Sequence, residues 1–148
     1  MRQDTHGATM YSHTTIGAND LLRATVFYDA VLAPLGLEVR FSGDGMVGYG
    51  LPEGRPQFLV VRPFDGGDPS VGNGSMVALL ATRRAQVDAC YAAAMELGGV
   101  DEGAPALRPQ YHSNYYGAYF RDLDGNKICV CSHHAEEGPS PKPTGLPT

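Results

Sequence analysis

The first half of the chain changes from an extended to a helical hydrophobic pattern near residue 20. Residues 11–17 are predicted as a short strand, and Asn19 or Asp20 then offers a side chain that can cap a helix N-terminus. Pro34 and Gly36 end the helical stretch. The helix is predicted from apolar residues at helical spacing, with Phe27 flanking them; these are Leu21, Ala24, Tyr28, Val31, Leu32 and Leu35.

Three short strands are predicted after this helix. They cover residues 38–42, 46–50 and 57–62. The first two flank Gly43-Asp44-Gly45, and an Asp-Gly pair suits a tight hairpin turn. The first half is therefore predicted as strand, helix and three strands.

The second half repeats this order of elements. A strand over residues 75–81 leads to Thr82 as a helix cap, and Gly98-Gly99 ends the helix. A loop that contains proline comes next, followed by strands over residues 117–121 and 127–133 that meet at an Asp-Gly turn. The apolar positions of this second helix are Val87, Cys90, Tyr91, Ala94 and Leu97.

An offset of 63 residues superimposes the two halves. It aligns His13 with Met76 and Asn19 with Thr82, so strands meet strands and caps meet caps. We therefore predict an α+β fold of two βαβββ modules, about 11–62 and 75–134, within a single domain over residues 11–134. The modules form a curved mixed sheet with the helices on its convex face.

Alternation along the first and last strands predicts which side chains face the concave side. In the last strand Ile128 and Val130 are expected to face the helix. Cys129, Cys131 and His133 then face the concave side. The same alternation buries Ile16 and turns His13 and Thr15 toward the concave side.

Composition narrows the class of protein. The 148 residues carry a formal charge of −5 with three cysteines, and lysine and arginine are not concentrated anywhere. Because no stretch is basic, we expect no nucleic-acid partner. We also expect no membrane segment, since the longest apolar run, residues 76–81, is too short to cross a bilayer. Residues 1–10 form a polar leader without a secretion signal, and residues 135–148 form a Pro-rich tail. Reduced thiols and a cytoplasmic location are expected.

Several motifs resemble one known family. HTTIGANDL at 13–21 with FYDAVL at 27–32 resembles the opening of the glyoxalase/bleomycin resistance/dioxygenase proteins, the vicinal oxygen chelate superfamily. RPFDG at 62–66, GNG at 72–74, RPQYH at 108–112 and NYYGA at 114–118 fit one branch of it. RDLDGNKI at 121–128 is similar to the closing signature of the family, D-P-D-G-N.

The resemblance implies paired βαβββ modules, usually in a homodimer, with a small-molecule pocket inside one chain or between two. Members that carry a divalent metal bind it on the concave face, so a divalent ion such as Zn, Ni, Fe or Mn is a candidate cofactor that the sequence does not assign. The first-strand positions are His13, a usual ligand, and Met76, where relatives often carry histidine. The last-strand position of module two is Cys129, where glutamate is usual, and only Gln57 could coordinate from module one.

These departures leave two interpretations of the metal positions open. His13, Met76 and Cys129, with Cys131 and His133 beside them, could form a soft ligand set for Zn²⁺ or Cu(I). The favoured alternative is that the sulfur-containing residues fill a pocket that no longer holds a metal. His13 could equally be a hydrogen-bonded pocket histidine.

The aromatic residues before the penultimate strand are also candidates for a binding site. Tyr111, His112, Tyr115 and Tyr116 could line a pocket for a planar ligand or pack across a dimer interface. Asp122 and Asp124 are explained by the turn that contains them.

The leading hypothesis is a dimeric protein that binds a small molecule in a concave pocket, with a degenerate metal site. The alternatives are a metal-dependent lyase or dioxygenase that uses His13 with unusual ligands, and a protein that sequesters an antibiotic. No catalytic residue and no cofactor is assigned from the sequence, and no P-loop, dinucleotide fingerprint or serine elbow is present.

Overall fold

The computed structural model describes residues 10–136, so the predicted leader, apart from Met10, and most of the predicted tail lie outside the described residues. Module one contains strand β1 (Thr14–Gly17), helix α1 (Leu21–Leu32), a 3₁₀ turn (Ala33–Leu35) and three further strands. These strands are β2 (Glu38–Gly43), β3 (Met46–Gly50) and β4 (Phe58–Val61).

Module two repeats the same order. It contains β5 (Val77–Leu80), α2 (Arg84–Glu96), β6 (Val100–Leu107), β7 (Tyr116–Arg121) and β8 (Lys127–Ser132). Each module forms its own four-stranded mixed sheet, in the orders β1-β4-β3-β2 and β5-β8-β7-β6. The first and last strands of each module run parallel, and the other pairs are antiparallel. The two βαβββ modules and the α+β class are confirmed.

The two helix starts use different caps. Asp20 caps α1, because its side chain accepts the Arg23 N–H at 3.1 Å, whereas the prediction left Asn19 and Asp20 both open. Thr82 was predicted to cap α2, and this is wrong. The cap position is Arg83, and the side chain of Gln86 accepts the N–H groups of both Arg83 and Thr82 at 2.9 Å.

Strand β6 was missed in the sequence, where residues 100–107 were assigned to a loop. The strand contains Gly103 and Pro105. The register of its pairing with β7 shifts on both sides of Gly103. β6 lies at the edge of its sheet, where proline and bulges are tolerated because one side of the strand needs no partner.

The core lies between the helices and the helix-facing sides of the two sheets. Aromatic rings connect the modules there. The ring centroids of Phe27 of α1 and Phe120 of β7 are 6.4 Å apart. Tyr28 packs edge-on against Phe27 at 5.0 Å and against Phe58 at 5.1 Å. All four side chains are at most 3% exposed, so the two modules share one hydrophobic core.

A buried polar clasp joins the β7–β8 turn to module one. Asp122 is 5% exposed and accepts the Tyr28 hydroxyl of α1 at 2.5 Å. It also accepts the backbone N–H groups of Asp124 and Asn126, both at 2.9 Å, which confirms its role in the turn. The side-chain amide of Asn126 donates to the Gly17 carbonyl at 2.9 Å. The turn is therefore hydrogen-bonded to both α1 and β1 of module one.

Between residues 10 and 136, no helix has the length and apolar character needed to cross a membrane.

Candidate functional site

Strand β8 presents two different faces. Ile128 and Val130 are fully buried in the shared core. Cys129 and Cys131 point to the opposite side, where they meet residues of β7 and of the loop before it. The predicted alternation is therefore confirmed for this strand. We call this side of the module-two sheet the site face.

A chain of hydrogen bonds on the site face ends at Cys131. The backbone N–H of Asn114 donates to His112 Nδ1 at 3.1 Å, and His112 Nε2 lies 2.8 Å from His133 Nδ1. His133 Nε2 lies 3.8 Å from Cys131 Sγ. The two imidazole rings stack with their centroids 5.1 Å apart.

The backbone N–H of Asn114 determines which atom donates in each of these hydrogen bonds. Because Asn114 donates to His112 Nδ1, a neutral His112 carries its proton on Nε2 and donates it to His133. A neutral His133 then carries its own proton on Nε2, the nitrogen that faces the sulfur of Cys131. The arrangement therefore presents an N–H donor to that sulfur, which favours the thiolate.

Tyr115 forms a roof over the two cysteines. Its hydroxyl lies 3.5 Å from Cys129 Sγ and 2.9 Å from the Tyr119 hydroxyl. The ring crosses Gly117 so closely that a Cβ at that position would lie 2.8 Å from Tyr115 Cε1. Glycine at 117 thus leaves room for the Tyr115 ring at this point of β7.

Further rings extend this aromatic surface. Tyr111 packs edge-on against Tyr115 with centroids 5.0 Å apart, and it is 62% exposed. His133 also stands edge-on to Tyr115 at 5.3 Å. On the other side of the roof, Tyr119 lies beneath the guanidinium of Arg108 at 5.3 Å and the ammonium of Lys127 at 5.7 Å. The aromatic surface is therefore bordered by positive charge.

Tyr116 was predicted as a pocket residue, and the structure places it elsewhere. Its hydroxyl donates to Asp88 of α2 at 2.6 Å, and the Arg84 guanidinium lies 5.5 Å from its ring. Successive residues of a strand point to opposite sides of the sheet, so Tyr116 faces the helix while Gly117 faces the site.

The two site-face thiols differ in pKa. The hydrogen bond with Cys129 is the main cause that lowers the pKa of Cys131 to about 6, and Tyr115 and His133 act in the same direction against burial. The same hydrogen bond, with burial, raises the pKa of Cys129 far above its usual value. Burial is the largest cause that raises the pKa of Tyr115, which therefore keeps its proton.

The strand ladders locate the metal position of module one that the sequence left open. Cys129 pairs with Ala78 in module two. The offset of 63 makes Thr15 the equivalent of Ala78, and Thr15 pairs with Leu59. Leu59 therefore occupies the place equivalent to Cys129, a position that the sequence left open, and Gln57 lies two residues before it. A leucine side chain offers no ligand atom.

His13 and Met76 lie apart from the Cys131 chain of hydrogen bonds. His13 is exposed, with Nδ1 at 2.8 Å from the hydroxyl of its neighbour Ser12. Met76 is 44% exposed and lines a hollow of about 210 Å³ together with Thr15. Asn126 and Lys127 line the same hollow, which is built between β1 and the start of β5.

These positions do not fit a divalent metal of the expected kind. They hold His13, Leu59, Met76 and Cys129, and none of them is a carboxylate. Within residues 10–136, no group of three or more His, Cys, Asp or Glu side chains is arranged to hold a metal ion. Divalent ions of the expected kind are held mainly by histidine and carboxylate ligands, and leucine offers no ligand atom while methionine is a poor one, so we derive no chemical step through a metal.

Comparison with known proteins agrees with this architecture. The sequence model of the Glyoxalase/Bleomycin resistance protein/Dioxygenase superfamily matches residues 11–130. A glyoxalase/bleomycin resistance protein from Albidiferax ferrireducens T118 is similar in structure, with a TM-score of 0.75 and 37% sequence identity. The similarity covers 84% of this chain and 98% of that one. No protein with a curated description matches the chain.

More distant structures share the fold alone. Hypothetical protein SA1046 from S. aureus is 21% identical with a TM-score of 0.63, covering 86% of this chain and 96% of its own. Lactoylglutathione lyase from Agrobacterium tumefaciens is 22% identical with a TM-score of 0.58, covering 84% and 93%. The chain belongs to the glyoxalase/bleomycin resistance/dioxygenase superfamily.

Sequence reasoning missed three residues of the site. Asn114 acts through its backbone, which no side-chain pattern can indicate. Tyr119 alternates with Gly117 on β7, and that alternation was a signal that could have found it. Arg108 belongs to the RPQYH motif, which gives no sign that its guanidinium lies over Tyr119.

Proposed function

We propose that this protein binds a small planar, aromatic molecule with an anionic group on the site face, without a divalent metal. The observation that carries the proposal is the cluster of Tyr111, His112, Tyr115 and His133 rings, bordered by Arg108. Aromatic faces favour planar ligands, and a guanidinium recognises carboxylate or sulfonate groups. The family positions hold no carboxylate, which supports binding rather than metal-dependent lyase or dioxygenase chemistry.

We further propose that a second copy of the chain completes the pocket. Tyr111 at the edge of the aromatic cluster is 62% exposed, so the cluster is open to solvent on this side. Leu80 of β5 is the ladder partner of Cys131 of β8, and its side chain is 65% exposed. A large apolar side chain next to the site is therefore open to solvent. Members of this superfamily are commonly dimeric. Three free cysteines fit a reducing, cytoplasmic compartment.

Binding is expected to depend on the aromatic roof. The probe is 8-anilinonaphthalene-1-sulfonate, an anion with a planar naphthalene ring, and its binding to the full chain is followed by fluorescence. Tyr115→Leu is expected to weaken its binding at least tenfold, about 1.4 kcal/mol, because the ring platform is lost. Arg108→Gln is expected to weaken this probe but not its uncharged analogue, N-phenyl-1-naphthylamine. Tyr91→Leu, on the helix side of module two, is the matched control.

Equal probe affinity in Tyr115→Leu and the parent protein would refute binding at this face. Sequestration of an antibiotic is the related alternative, and it is tested by thermal stabilisation with bleomycin. A shift in melting temperature that survives Tyr115→Leu would place the drug elsewhere on the protein.

Metal content tests the rival enzymatic hypothesis. Protein purified without chelator is expected to contain less than one-tenth of an equivalent of Zn, Ni, Fe or Mn, because the family positions lack carboxylates. His13→Ala is expected to leave both the metal content and the probe affinity unchanged. Stoichiometric metal that disappears in His13→Ala would contradict the proposal and support a metal-dependent lyase or dioxygenase.

A further inference from the structure

Phe64 has the most exposed of the large apolar side chains within residues 10–136. Its side chain is 108% exposed, so it is as open to water as it would be in an unfolded chain. Phe64 lies in the segment that joins the two modules, after the end of β4 and before the start of β5. We call residues 62–69 the linker loop. A ring so far from its neighbours adds nothing to the core of its own molecule, and its burial against another surface is favourable.

The linker loop presents Phe64 from a hydrogen-bonded turn. The Gly66 N–H donates to the Pro63 carbonyl at 3.0 Å, which places Phe64 at the corner of the turn. The Gly67 N–H then donates to the Asp65 carboxylate at 2.8 Å. A side chain on a loop that is already ordered costs less conformational entropy to bind than one on a flexible segment. The turn therefore prepares Phe64 to act as an anchor.

The base of the linker loop packs on β1, beside the concave side of the molecule. A Cβ on Gly17 would lie 2.8 Å from the Cβ of Pro69, so glycine leaves room for this close contact. Pro69 also lines a hollow of about 300 Å³ together with Thr15. Ile16 belongs to the core, so its neighbour Thr15 points away from the helices. Phe64 is thus carried at the border of the concave side.

The site face of module two has apolar side chains that nothing in its own chain covers. Leu80 is 65% exposed and Tyr111 is 62% exposed. Leu80 points to the same side as its ladder partner Cys131, and Ala78, two residues earlier on β5, is exposed as well. β5 is the edge strand of this sheet. The site face can therefore receive an apolar group along this edge.

We propose that Phe64 of a second copy packs against Leu80 and Tyr111, and that two copies exchange this contact about a two-fold axis. The inference rests on the proposed function, in which a second copy completes the pocket, and it names the side chain that does so. Each chain carries both the anchor and the receiving surface, so a two-fold dimer makes the contact twice. Aromatic anchors of this kind are enriched at protein interfaces.

Charge favours the same pairing of surfaces. Residues 63–69 contain Asp65 and Asp68, both exposed, and no basic side chain. Arg108 borders the aromatic surface of the site face, and it forms no ion pair with any carboxylate of residues 10–136. Opposite charges attract over about 8 Å at physiological ionic strength and orient approaching partners. Because the complementary surfaces lie on one chain, a second copy is favoured over an unrelated partner.

Photocrosslinking of the full-length chain locates the contact. Benzoylphenylalanine in place of Phe64 keeps an aromatic side chain and captures the surface against it under ultraviolet light. We expect a crosslinked dimer in which residue 64 of one copy is joined to residues 78–80 or to Tyr111 of the other. Benzoylphenylalanine in place of Leu22, which is 80% exposed on α1, is the control and is expected to give no crosslinked dimer. Crosslinks from residue 64 to another region only would overturn the proposal.

Sedimentation velocity measures how much the anchor contributes. Phe64→Ser is expected to raise the dimer dissociation constant at least tenfold, because the anchor is lost from both contacts. Its circular dichroism spectrum is expected to match that of the parent protein, because Phe64 does not belong to the core. Leu80→Ser is expected to act in the same way, while Leu22→Gln leaves the dissociation constant unchanged. Asp65→Lys combined with Asp68→Lys is expected to weaken the dimer several-fold, and less so at high salt.

The outcomes separate this contact from the proposed ligand binding. Tyr115→Leu is expected to lose binding of 8-anilinonaphthalene-1-sulfonate and to remain a dimer. A dimer of unchanged stability in Phe64→Ser would refute the anchor, whatever the probe does. A parent protein that stays monomeric at every concentration tested would refute both the anchor and the shared pocket. Probe binding by that monomer, lost in Tyr115→Leu, would still support ligand binding at the site face.

Discussion

Asp122→Ala is expected to lower the free energy of unfolding by about 3–5 kcal/mol, because it removes a buried acceptor shared by three partners. The Tyr28 hydroxyl and the N–H groups of Asp124 and Asn126 would lose this acceptor together. Urea denaturation monitored by circular dichroism measures the loss. Asp68→Ala, at an exposed position between the modules, is the matched control and is expected to change stability by less than about 0.5 kcal/mol.

The same variant shows whether the clasp joins the modules. Loss of Asp122 is expected to lower the denaturation midpoint for probes in both modules equally, because the partners belong to both. A loss below about 1 kcal/mol, or separate transitions for the two modules, would show that the hydrogen bonds of Asp122 are not what couples them.

Phe27→Ala is expected to destabilise the protein by about 3–5 kcal/mol, since a fully packed aromatic side chain would be replaced by a cavity. Phe27 is 1% exposed and lies between Tyr28 of its own helix and Phe120 of module two. Val26→Ala removes apolar atoms from the adjacent residue, which is 59% exposed, and is expected to cost well under 1 kcal/mol. Similar losses for the two variants would argue against a shared core at Phe27.

The fold was predictable because its signals were local. Helix spacing, cap residues and Asp-Gly turns depend on neighbours within a few positions of one another. Strand β6 was not predicted because Gly103 and Pro105 interrupt its alternation of polar and apolar residues. Both residues are tolerated there because β6 lies at the edge of its sheet. The cap of α2 escaped because the side chain of Gln86, not that of Thr82, accepts the free N–H groups.

The site was predictable only in part. Alternation alone placed Cys129 and Cys131 on one face, as the structure confirms. The stacking of His112 on His133 joins a loop to the end of a strand across 21 positions, and no local pattern encodes it. The sequence grouped Tyr116 with Tyr115, because it does not show at which residue the loop ends and β7 begins. That starting residue decides which of the two tyrosines faces the helix.

The register of the ladders changed the interpretation of the metal site. Sequence comparison could not choose between Gln57 and its neighbours, whereas the pairing of Thr15 with Leu59 identifies the position. Both last-strand positions are therefore occupied by residues without a carboxylate, a leucine in one module and a cysteine in the other. The site face of module two, by contrast, carries two cysteines and a cluster of rings.

Tyr28 and Tyr91 occupy equivalent places in the two modules, yet they make different contacts. Tyr28 donates to the buried Asp122 of the other module, while Tyr91 donates to the exposed Asp101 of its own module at 2.8 Å. A gene duplication would start with two interchangeable copies of this tyrosine. Their divergence means that the halves are no longer interchangeable: a chain built from two copies of module one would lack the Asp122 acceptor.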